Sequence, residues 1–378
     1  MNIKVKRENL LQALSINIKI LSSKVSIPIL NNVLISVDKN KLVLKSTNLE
    51  QSIITYVGIE SLSEGKCTVN LRNIYEIISN LNSDIIELSL VDNILYISDI
   101  KNNINLNTIP YDEFPNILDR SKKDDYFLKI SPYDLSFAID KVSFSTSKDI
   151  SKEILTGVLL EIRPNLIKFV GINGFRFASI VLDSTDLDIK SKSKIVISRD
   201  ALDNISDIIK NLDLKKDSYI YIYKIDGNQL LFEIQNVKFE TRVLEGKYPK
   251  YKKIFPESYS TSFEIGKDDL RNIMKLTSPF KFKEISKISI HVDPQKNKVY
   301  FRSSLQEVGE ANSSVSTKIE GKELNVSLNA NYITDFLNHI DGEKLLIELN
   351  SSDSRKVSKI TDKNLENFIY LIMPLYER

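Results

Sequence analysis

The sequence predicts an α+β protein of three repeated domains, each a βαβββ unit written twice. The first observation is a helical template with apolar residues at i, i+3, i+4 and i+7, which recurs six times along 378 residues. The second is that hairpin-like segments follow the copies, with connections too short for parallel crossovers. The third is spacing, because the clearest copies begin at Ile74, Ile205 and Ile333, which lie 131 and 128 residues apart. Such a repeat is typical of stacked or circularised modules.

Six helices are expected from this template, three of them regular and three looser. The template positions in chain order are Leu11, Leu14, Ser15 and Ile18; Ile74, Ile77, Ile78 and Leu81; Leu135, Ala138, Ile139 and Val142; Ile205, Ile208, Ile209 and Leu212; Leu270, Ile273, Met274 and Thr277; and Ile333, Phe336, Leu337 and Ile340. A helix with one apolar stripe packs that stripe on a sheet and leaves its other face in water. We therefore expect helices on one side of each domain and antiparallel sheets on the other.

Strands surround each helix in the same order. Lead-in strands are predicted over residues 3–6, 126–130 and 262–265, and the hairpins over residues 33–46, 85–99, 157–171, 218–234, 288–303 and 344–360. Only 11 Gly serve the whole chain, so Asn and Asp are expected at most tight turns. Polar stretches at 119–125 and 248–258 place the domains at residues 1–122, 123–252 and 253–378.

Composition is that of a globular protein, with 42% apolar and 27% charged residues. The opening MNIKVKRENL has no hydrophobic signal core, so we expect a cytoplasmic protein with no membrane association. The net charge of +2 gives no bulk support for nucleic-acid binding. A single cysteine, Cys67, excludes an internal disulfide and a cysteine-based metal cluster, and we expect it to be buried.

Motifs for common catalytic chemistry are absent from the sequence. It contains no P-loop, no GxGxxG and no GxSxG. His291 and His339 have no neighbouring His or Cys, which favours ordinary histidines over a metal or acid/base role. GINGF at 171–175 resembles the GxxG loop of a KH module, but strands rather than helices flank it. We expect no cofactor, metal or catalytic site; an enzyme with scattered carboxylates is the alternative.

Eight segments, taken in order, resemble the bacterial sliding clamp family, the beta subunit of DNA polymerase III. They are KVKRENLLQAL, SSKVSIPILNNVLISV, LKSTNLEQSI, IPYDEFPNI, LTGVLLEI, GINGFRFA, YPKYKKIFP and YLIMPLYER. The resemblance implies the DNA clamp fold, in which two three-domain chains close head to tail into a ring with helices inside and sheets outside. It implies a non-enzymatic homodimer that encircles double-stranded DNA and confers processivity. Its implied partners are the polymerase III alpha subunit, the clamp loader and other proteins with clamp-binding motifs.

A size estimate favours two chains in such a ring. Six helices at about 10 Å spacing enclose a circle of roughly 19 Å, which leaves about 9 Å free after one helix diameter is subtracted. Two DNA groove depths of about 8 Å each already exceed that space. Twelve helices leave about 28 Å, which is enough for a duplex and a layer of water.

The resemblance assigns weak, sequence-independent phosphate contacts to the helical face. The candidate residues are Lys24, Arg72, Arg199, Arg271 and Lys275. For each of them, an ordinary solvated charge is the alternative interpretation. The helices also carry Glu8, Asp140, Asp200, Asp203, Asp207, Asp268 and Asp269. We therefore predict that Lys and Arg face inward, and that the acidic residues face outward or lie near helix N-termini.

The resemblance also implies a pocket between the second and third domains that captures partner peptides. The matching residues are Leu155, Ile172, Phe175, Arg176, Phe177, Pro249, Lys253, Ile254, Phe282, Asn329, Tyr332, Leu371, Ile372, Met373, Pro374 and Leu375. Without the resemblance, most of them would be interpreted as core residues. Asn173, Phe175 and Phe177 stand where Asp, His and Leu are common in the family, and Lys253 replaces a common Arg. The pocket is therefore expected to be tighter and more apolar.

The implied dimer contact joins the first domain of one chain to the third domain of the other. Edge strands near 104–109 and 310–319 are expected to pair there, with Leu276 and Phe280 adding apolar contact. The alternative function is a scaffold that keeps the clamp fold and the peptide pocket but does not encircle DNA, which the near-neutral charge suggests.

Overall fold

The computed structural model describes residues 1–21, 27–117, 119, 125–183, 187–225, 228–280, 286–351 and 356–375. In this part of the chain six βαβββ units follow one another, with one short extra strand between the two units of each domain. The first domain comprises β1 Asn2–Lys6, α1 Arg7–Asn17, β2 Asn32–Asp38, β3 Lys41–Thr47, β4 Gln51–Gly58, β5 Glu60–Ser63, β6 Gly65–Asn70, α2 Leu71–Asn80, β7 Ile85–Val91, β8 Ile94–Ser98 and β9 Asn103–Asn107.

The second and third domains repeat this order. The second comprises β10 Leu128–Ile130, α3 Pro132–Val142, β11 Gly157–Arg163, β12 Leu166–Ile172, β13 Arg176–Leu182, β14 Asp188–Ile189, β15 Ser193–Ser198, α4 Arg199–Asn211, β16 Ile220–Ile225, β17 Gln229–Ile234 and β18 Val237–Arg242. The third comprises β19 Thr261–Gly266, α5 Lys267–Thr277, β20 Lys287–Asp293, β21 Lys298–Leu305, β22 Gly309–Ser316, β23 Ile319–Gly321, β24 Leu324–Asn329, α6 Ala330–Asn338, β25 Lys344–Leu349, β26 Ser358–Asp362 and β27 Phe368–Ile372.

The second helix of each domain starts at a side-chain cap. The Asn70 carboxamide accepts the Asn73 N–H, the Ser198 hydroxyl accepts the Ala201 N–H, and the Asn329 carboxamide accepts the Asn331 N–H, at 3.1 to 3.2 Å. These caps satisfy N–H groups that have no partner within the helix. The boundary between strand and helix is thus set locally, by the last residue of β6, β15 and β24.

The apolar stripe faces the sheet in all six helices, but its register in α1 differs from the prediction. The buried side chains of α1 on one face are Leu10, Ala13, Leu14 and Asn17, so the whole stripe lies one residue earlier than predicted. Leu11, Ser15 and Ile18 are only partly buried. The prediction was wrong there because a polar residue occupies a core position of the stripe. In α5 the predicted positions Leu270, Ile273, Met274 and Thr277 are all buried.

The strands of the described residues form four antiparallel sheets, two of which cross a domain boundary. Their strand orders are β5-β1-β7-β8-β9, then β14-β10-β16-β17-β18-β4-β3-β2-β6, then β15-β11-β12-β13-β27-β26-β25-β19-β23, and β22-β21-β20-β24. The second domain joins the first by pairing β18 with β4, and joins the third by pairing β13 with β27. Continuous backbone pairing therefore holds the three domains together on the sheet side.

The helices lie side by side in the order α2, α1, α4, α3, α6, α5. Polar contacts link each pair: Arg7 Nε to Ile78 O at 3.0 Å, Gln12 Nε2 to Asn211 O at 2.8 Å, Ser136 Oγ to Ser206 Oγ at 2.9 Å, Asp140 Oδ1 to His339 Nδ1 at 2.8 Å, and Lys267 Nζ to Ile340 O. Several of these donors reach carbonyls at the C-terminal end of a neighbouring helix, where positive charge is favoured. The result is a continuous helical wall opposite the sheets.

Within the described residues, no helix combines the length and the apolar character needed to cross a membrane.

Candidate functional site

A cleft of about 610 Å³ lies where the second and third domains meet on the sheet side. Its floor comes from the pairing of β13 with β27, in which Phe177 stands opposite Leu371. Side chains alternate across a strand, so Phe177 and Leu371 face the cleft while Ala178 and Ile372 face the core under the helices. The domain junction thus presents an apolar surface on the outside of the molecule.

Phe177 and Phe255 line one side of the cleft, and Tyr251 packs against Phe177. The Phe177 ring lies 5.3 Å from Tyr251 and 5.3 Å from Phe255, the latter at 81°, which is an edge-to-face contact. Tyr251 and Phe255 belong to the segment that joins the two domains. Burial, followed by the charge of Glu161, raises the pKa of Tyr251 to about 12, so this ring stays neutral at physiological pH. This aromatic part of the cleft is therefore uncharged, whereas Lys253, Glu257 and Lys356 line the cleft elsewhere.

A tight turn places Phe175 at the rim. The Asn173 carboxamide oxygen accepts the N–H groups of Phe175 and Arg176, each at 2.9 Å, and Gly174 takes φ +94°, a left-handed conformation that favours glycine. The Phe175 carbonyl accepts the Met373 N–H at 2.8 Å. Phe175 itself is 57% exposed. The turn thus holds an exposed apolar side chain at the rim of the cleft.

Arg176 connects the cleft to the helical wall behind it. Its guanidinium lies 4.6 Å from the Tyr332 ring, bonds the Asp335 carboxylate at 2.5 Å, and donates to the Phe144 carbonyl. The side chain is 6% exposed, so a buried charge is compensated by an ion pair and a stacked ring. Arg176 therefore holds the shape of the cleft as well as lining it.

The structure brings half of the predicted pocket residues to the cleft. These are Ile172, Phe175, Arg176, Phe177, Lys253, Ile254, Leu371 and Met373. Leu155 packs against the apolar cluster that contains Phe177 and Leu371, and the Tyr332 ring contacts the Arg176 guanidinium. Pro249 is exposed on the connecting segment and does not line the cleft.

Four other predicted residues do not line the cleft and instead stabilise the fold around it. Asn329 caps α6, Ile372 is buried on the core face, Pro374 is buried, and Leu375 donates its N–H to Ser327 O at 2.7 Å. Phe282 lies outside the described residues. Sequence reasoning missed the lining residues Gly174, Phe255, Pro256, Glu257, Lys356 and Val357. Phe255 and Pro256 directly follow the predicted Ile254, so the apolar residues after Lys253 were the available signal.

On the helical wall, the predicted phosphate-contacting residues fall into two groups. Arg72 on α2 and Lys275 on α5 are exposed. Arg199 bonds Asp203 at 3.1 Å, and Arg271 bonds Asp268 at 2.7 Å while also donating to Leu337 O. Lys24 lies outside the described residues.

The predicted segregation of charges is wrong for α4. Arg199, Asp203, Asp207 and Lys210 follow one another at helical spacing on the exposed face of this helix, and all four line one groove with α3. Asp207 bonds Lys19 at 3.1 Å and lies 4.0 Å from Lys210. The apolar stripe uses the opposite face, which leaves a single exposed face for side chains of both signs.

The two residues predicted at the dimer contact lie at the C-terminal end of α5. Leu276 is 57% exposed, and Phe280 is partly buried with its N–H on Thr277 O. Strands β9 and β22, which cover most of the two predicted edge segments, each have one side without a strand partner in the described part of the chain.

The described residues hold no group of three or more His, Cys, Asp or Glu side chains arranged for a metal ion. His339 stacks on Phe144 at 4.4 Å and pairs with Asp140, and His291 bonds the Asn325 carboxamide. Cys67 is buried, and burial raises the pKa of its thiol to about 12. GINGF connects strands β12 and β13, as the sequence predicted.

Comparison with known proteins places every part of this architecture in one family. The N-terminal, central and C-terminal domains of the DNA polymerase III beta subunit match residues 1–118, 129–250 and 252–376. The beta sliding clamp of Vibrio cholerae serotype O1 is 24% identical over 380 residues, covering 99% of this chain and 100% of the relative. That of Buchnera aphidicola subsp. Acyrthosiphon pisum is 26% identical over 363 residues, covering 94% of each.

Solved structures have the same fold over their whole length. The DNA polymerase III beta subunit of Thermotoga maritima superposes with a TM-score of 0.89 at 24% identity. The sliding clamp of Bacillus subtilis gives 0.90 at 22%, and that of Pseudomonas aeruginosa bound to griselimycin gives 0.89 at 21%; each pair of chains is fully covered. With three consecutive domain matches over almost all of its residues, this chain belongs to the DNA polymerase III beta subunit family, the bacterial sliding clamps.

Proposed function

We propose that two copies of this chain close head to tail into a ring that encircles duplex DNA and carries replication proteins along it. A sliding clamp is a processivity factor with no catalytic centre of its own. The observation that supports the ring most strongly is the incomplete pairing of the sheets. The nine-stranded sheets form where the last strand of a domain's second unit meets the last strand of another domain's first unit, as β18 meets β4 and β27 meets β13.

One such pair of strands is left over. By position in the repeat, β9 corresponds to β18 and β27, and β22 corresponds to β4 and β13. Joining β9 of one chain to β22 of another would give the order β5-β1-β7-β8-β9-β22-β21-β20-β24, which repeats the arrangement of the two complete sheets. In a dimer with C2 symmetry every contact occurs twice. Strand β9 of each chain would therefore pair with β22 of the other, and these two equivalent contacts would close the ring.

The backbone of both edges is oriented for this pairing. Thr108 N donates to Asn93 O, and Asp99 N donates to Asn102 O. In an antiparallel ladder, alternate residues point their backbone N–H and C=O groups toward the neighbouring strand. The backbone groups of Asn103, Asn105 and Asn107 therefore point away from β8. Thr317 N donates to Asn297 O, and the same alternation turns those of Glu310, Asn312, Ser314 and Ser316 away from β21. The open edges of β9 and β22 thus each present a short row of backbone donors and acceptors that can pair with another strand.

In the closed ring, the helical walls of two chains would form one inner surface of twelve helices. Contacts from this wall would go to phosphates and carry no sequence information, so the ring would hold DNA by topology. We keep Arg72 and Lys275 as candidate contacts. Arg199 and Arg271 reach DNA only by leaving their carboxylate partners.

The cleft at the second domain junction is our candidate site for partner proteins. The family relation implies the polymerase III alpha subunit, the clamp loader and other proteins with clamp-binding motifs. The clamp of Pseudomonas aeruginosa has been solved with griselimycin bound. In this chain, an apolar floor with the exposed Phe175 at its rim suits a short peptide with apolar anchors. We infer that such complexes act in the cytoplasm, where the replicated DNA is.

Retention on DNA tests the ring directly. Purified clamp is loaded on a closed circular duplex by the cognate loader, and the bound fraction is followed before and after the circle is cut once. The expected result is stable retention on the circle and rapid loss after linearisation. Equal retention on both forms would contradict topological binding, and a strict monomer at micromolar concentration in sedimentation would support the non-encircling scaffold instead.

A further inference from the structure

Several cations of the helical wall form ion pairs with carboxylates of the same wall. Arg199 bonds Asp203 four residues along α4, and Lys19, from the turn after α1, bonds Asp207. Lys210 also lies 4.0 Å from Asp207. Side chains of both Asp residues are 45% exposed, so these pairs face the solvent where DNA would pass.

The same pairing recurs beyond α4. Arg271 of α5 bonds Asp268 at 2.7 Å. Lys141 of α3 is 5% exposed, bonds Asp140 at 3.1 Å, and donates to His339 O. Thus, among the described residues, cations on three helices and on the turn after α1 are already engaged by an acidic neighbour.

We propose that Asp203 and Asp207 attenuate DNA binding by competing with phosphates for Arg199, Lys19 and Lys210. A phosphate that approaches Arg199 must displace a carboxylate and then lie beside that carboxylate's negative charge. Each contact therefore adds little to the DNA affinity. Fewer counterions are released from DNA than if every cation on the wall bound a phosphate. A ring that depends on topology for retention benefits, since weak contact permits sliding. This inference rests on the proposed encircling of DNA through the helical wall.

Asp203→Asn and Asp207→Asn, singly and together, test the proposal with a short linear duplex, on which topology contributes nothing. Both side chains are half-exposed and outside the core, so the substitutions keep the fold. The observed association constant is measured against salt concentration. At low salt the double variant should bind roughly threefold to tenfold more tightly, and its salt dependence should steepen by about 0.9 for each cation that gains a phosphate.

A matched control carries the same change in net charge away from the helices. Asp188→Asn with Glu366→Gln alters an exposed residue of β14 and one of the β26–β27 turn. This control should bind linear DNA like the native clamp, apart from a small uniform shift. If it gained as much affinity as the wall variant, net charge alone would explain the effect and the proposal would be wrong.

A double-mutant comparison locates the effect at one ion pair. In the native background, where the Arg199 guanidinium is paired with Asp203, Arg199→Gln should change DNA affinity little. In the Asp203→Asn background, the same substitution should remove the increase in DNA affinity. An equal loss in both backgrounds would overturn the proposal. Retention on closed circles is measured in parallel. If the native clamp is retained normally but the salt dependence of the double variant is unchanged, only the attenuation is rejected. If the native clamp is not retained on closed circles, the encircling function is rejected as well.

Discussion

Asn17 is fully buried at the end of α1, where the helical stripe would otherwise require an apolar residue. Its carboxamide donates to Ala13 O and to the Thr55 hydroxyl, and accepts the Ser46 hydroxyl at 2.8 Å. Ser46 and Thr55 are also fully buried, on β3 and β4. This satisfied network fixes α1 on its sheet with a directional contact that an apolar side chain does not provide.

Ser46→Ala should therefore destabilise the first domain. The substitution leaves the buried Asn17 oxygen without its donor, which costs about 1–3 kcal/mol. The measurement is chemical denaturation followed by a probe in the first domain. Ser79→Ala is the control, because the Ser79 hydroxyl bonds only the nearby Glu76 carbonyl on the surface, and its effect should stay within about 0.5 kcal/mol. Equal effects of the two substitutions would contradict the role of the network.

The same residue explains a limit of sequence reasoning. Periodicity located all six helices, because the burial of one helical face is a local consequence of spacing. It misplaced the stripe of α1, because Asn17 is a good core residue only in the presence of Ser46 and Thr55, which are distant in sequence. Ile372 is a similar case. Its neighbours Leu371 and Met373 line the cleft, but only the strand pairing decides which alternate residues face outward.

Phe175 offers a test of the cleft that leaves the fold intact. Because its ring is 57% exposed, Phe175→Ala should not lower the free energy of unfolding, yet it removes apolar contact at the rim. We expect the affinity for a polymerase tail peptide to fall by roughly tenfold, or about 1–2 kcal/mol. Ile150→Ala is the control, since Ile150 is 87% exposed and does not line the cleft. Comparable losses in both variants would count against the site.

At the scale of elements, the β8–β9 turn is held by one carboxylate. Asp99 accepts the N–H groups of Lys101 and Asn102 at 2.9 and 2.7 Å, and the Ser83 hydroxyl at 2.9 Å. The backbone N–H of Lys101 is the largest of the contributions that lower the pKa of Asp99 to about 2. The turn precedes β9 directly, so Asp99 positions the edge strand that the proposed dimer would use.

Protonation of Asp99 should loosen this edge at low pH. An unfolded aspartate titrates near pH 4, so between about pH 4 and pH 2 the unfolded turn binds more protons than the folded one. The stabilisation by Asp99 is therefore complete above about pH 5 and is lost as the pH falls through 2. The protection of the β9 amides from hydrogen exchange, corrected for the pH dependence of the intrinsic exchange rate, should fall over this window. Asp99→Asn should exchange faster already at pH 5 and lack this acid dependence; an identical pH profile in both proteins would refute the assignment.

The whole molecule depends on strand pairings that no local pattern reveals. The sequence predicted the hairpins within each unit, since their strands are adjacent and their turns carry Asn and Asp. It did not predict that β4 and β18, or β13 and β27, complete sheets across domain boundaries. Their pairing connects residues 53 and 239, or 178 and 370, which only the packed domains bring together. The floor of the cleft could not be predicted from sequence for the same reason, because it forms only when β13 and β27 pair.

At the scale of the whole ring, the proposed dimer contact can be tested at strand β9. Asn105→Pro removes one N–H that faces the open side of β9, and proline is tolerated on an edge strand when the ladder inside the sheet does not use that N–H. The chain should therefore fold normally but dimerise more weakly, and retention on circular DNA should fall with it. Sedimentation equilibrium measures the dissociation constant, which we expect to rise at least tenfold. Ile104→Pro is the matched control, because the Ile104 N–H lies on the β8 side of the ladder, so this substitution should unfold the first domain instead. If Asn105→Pro dimerised like the native chain, β9 would not be the strand that closes the ring.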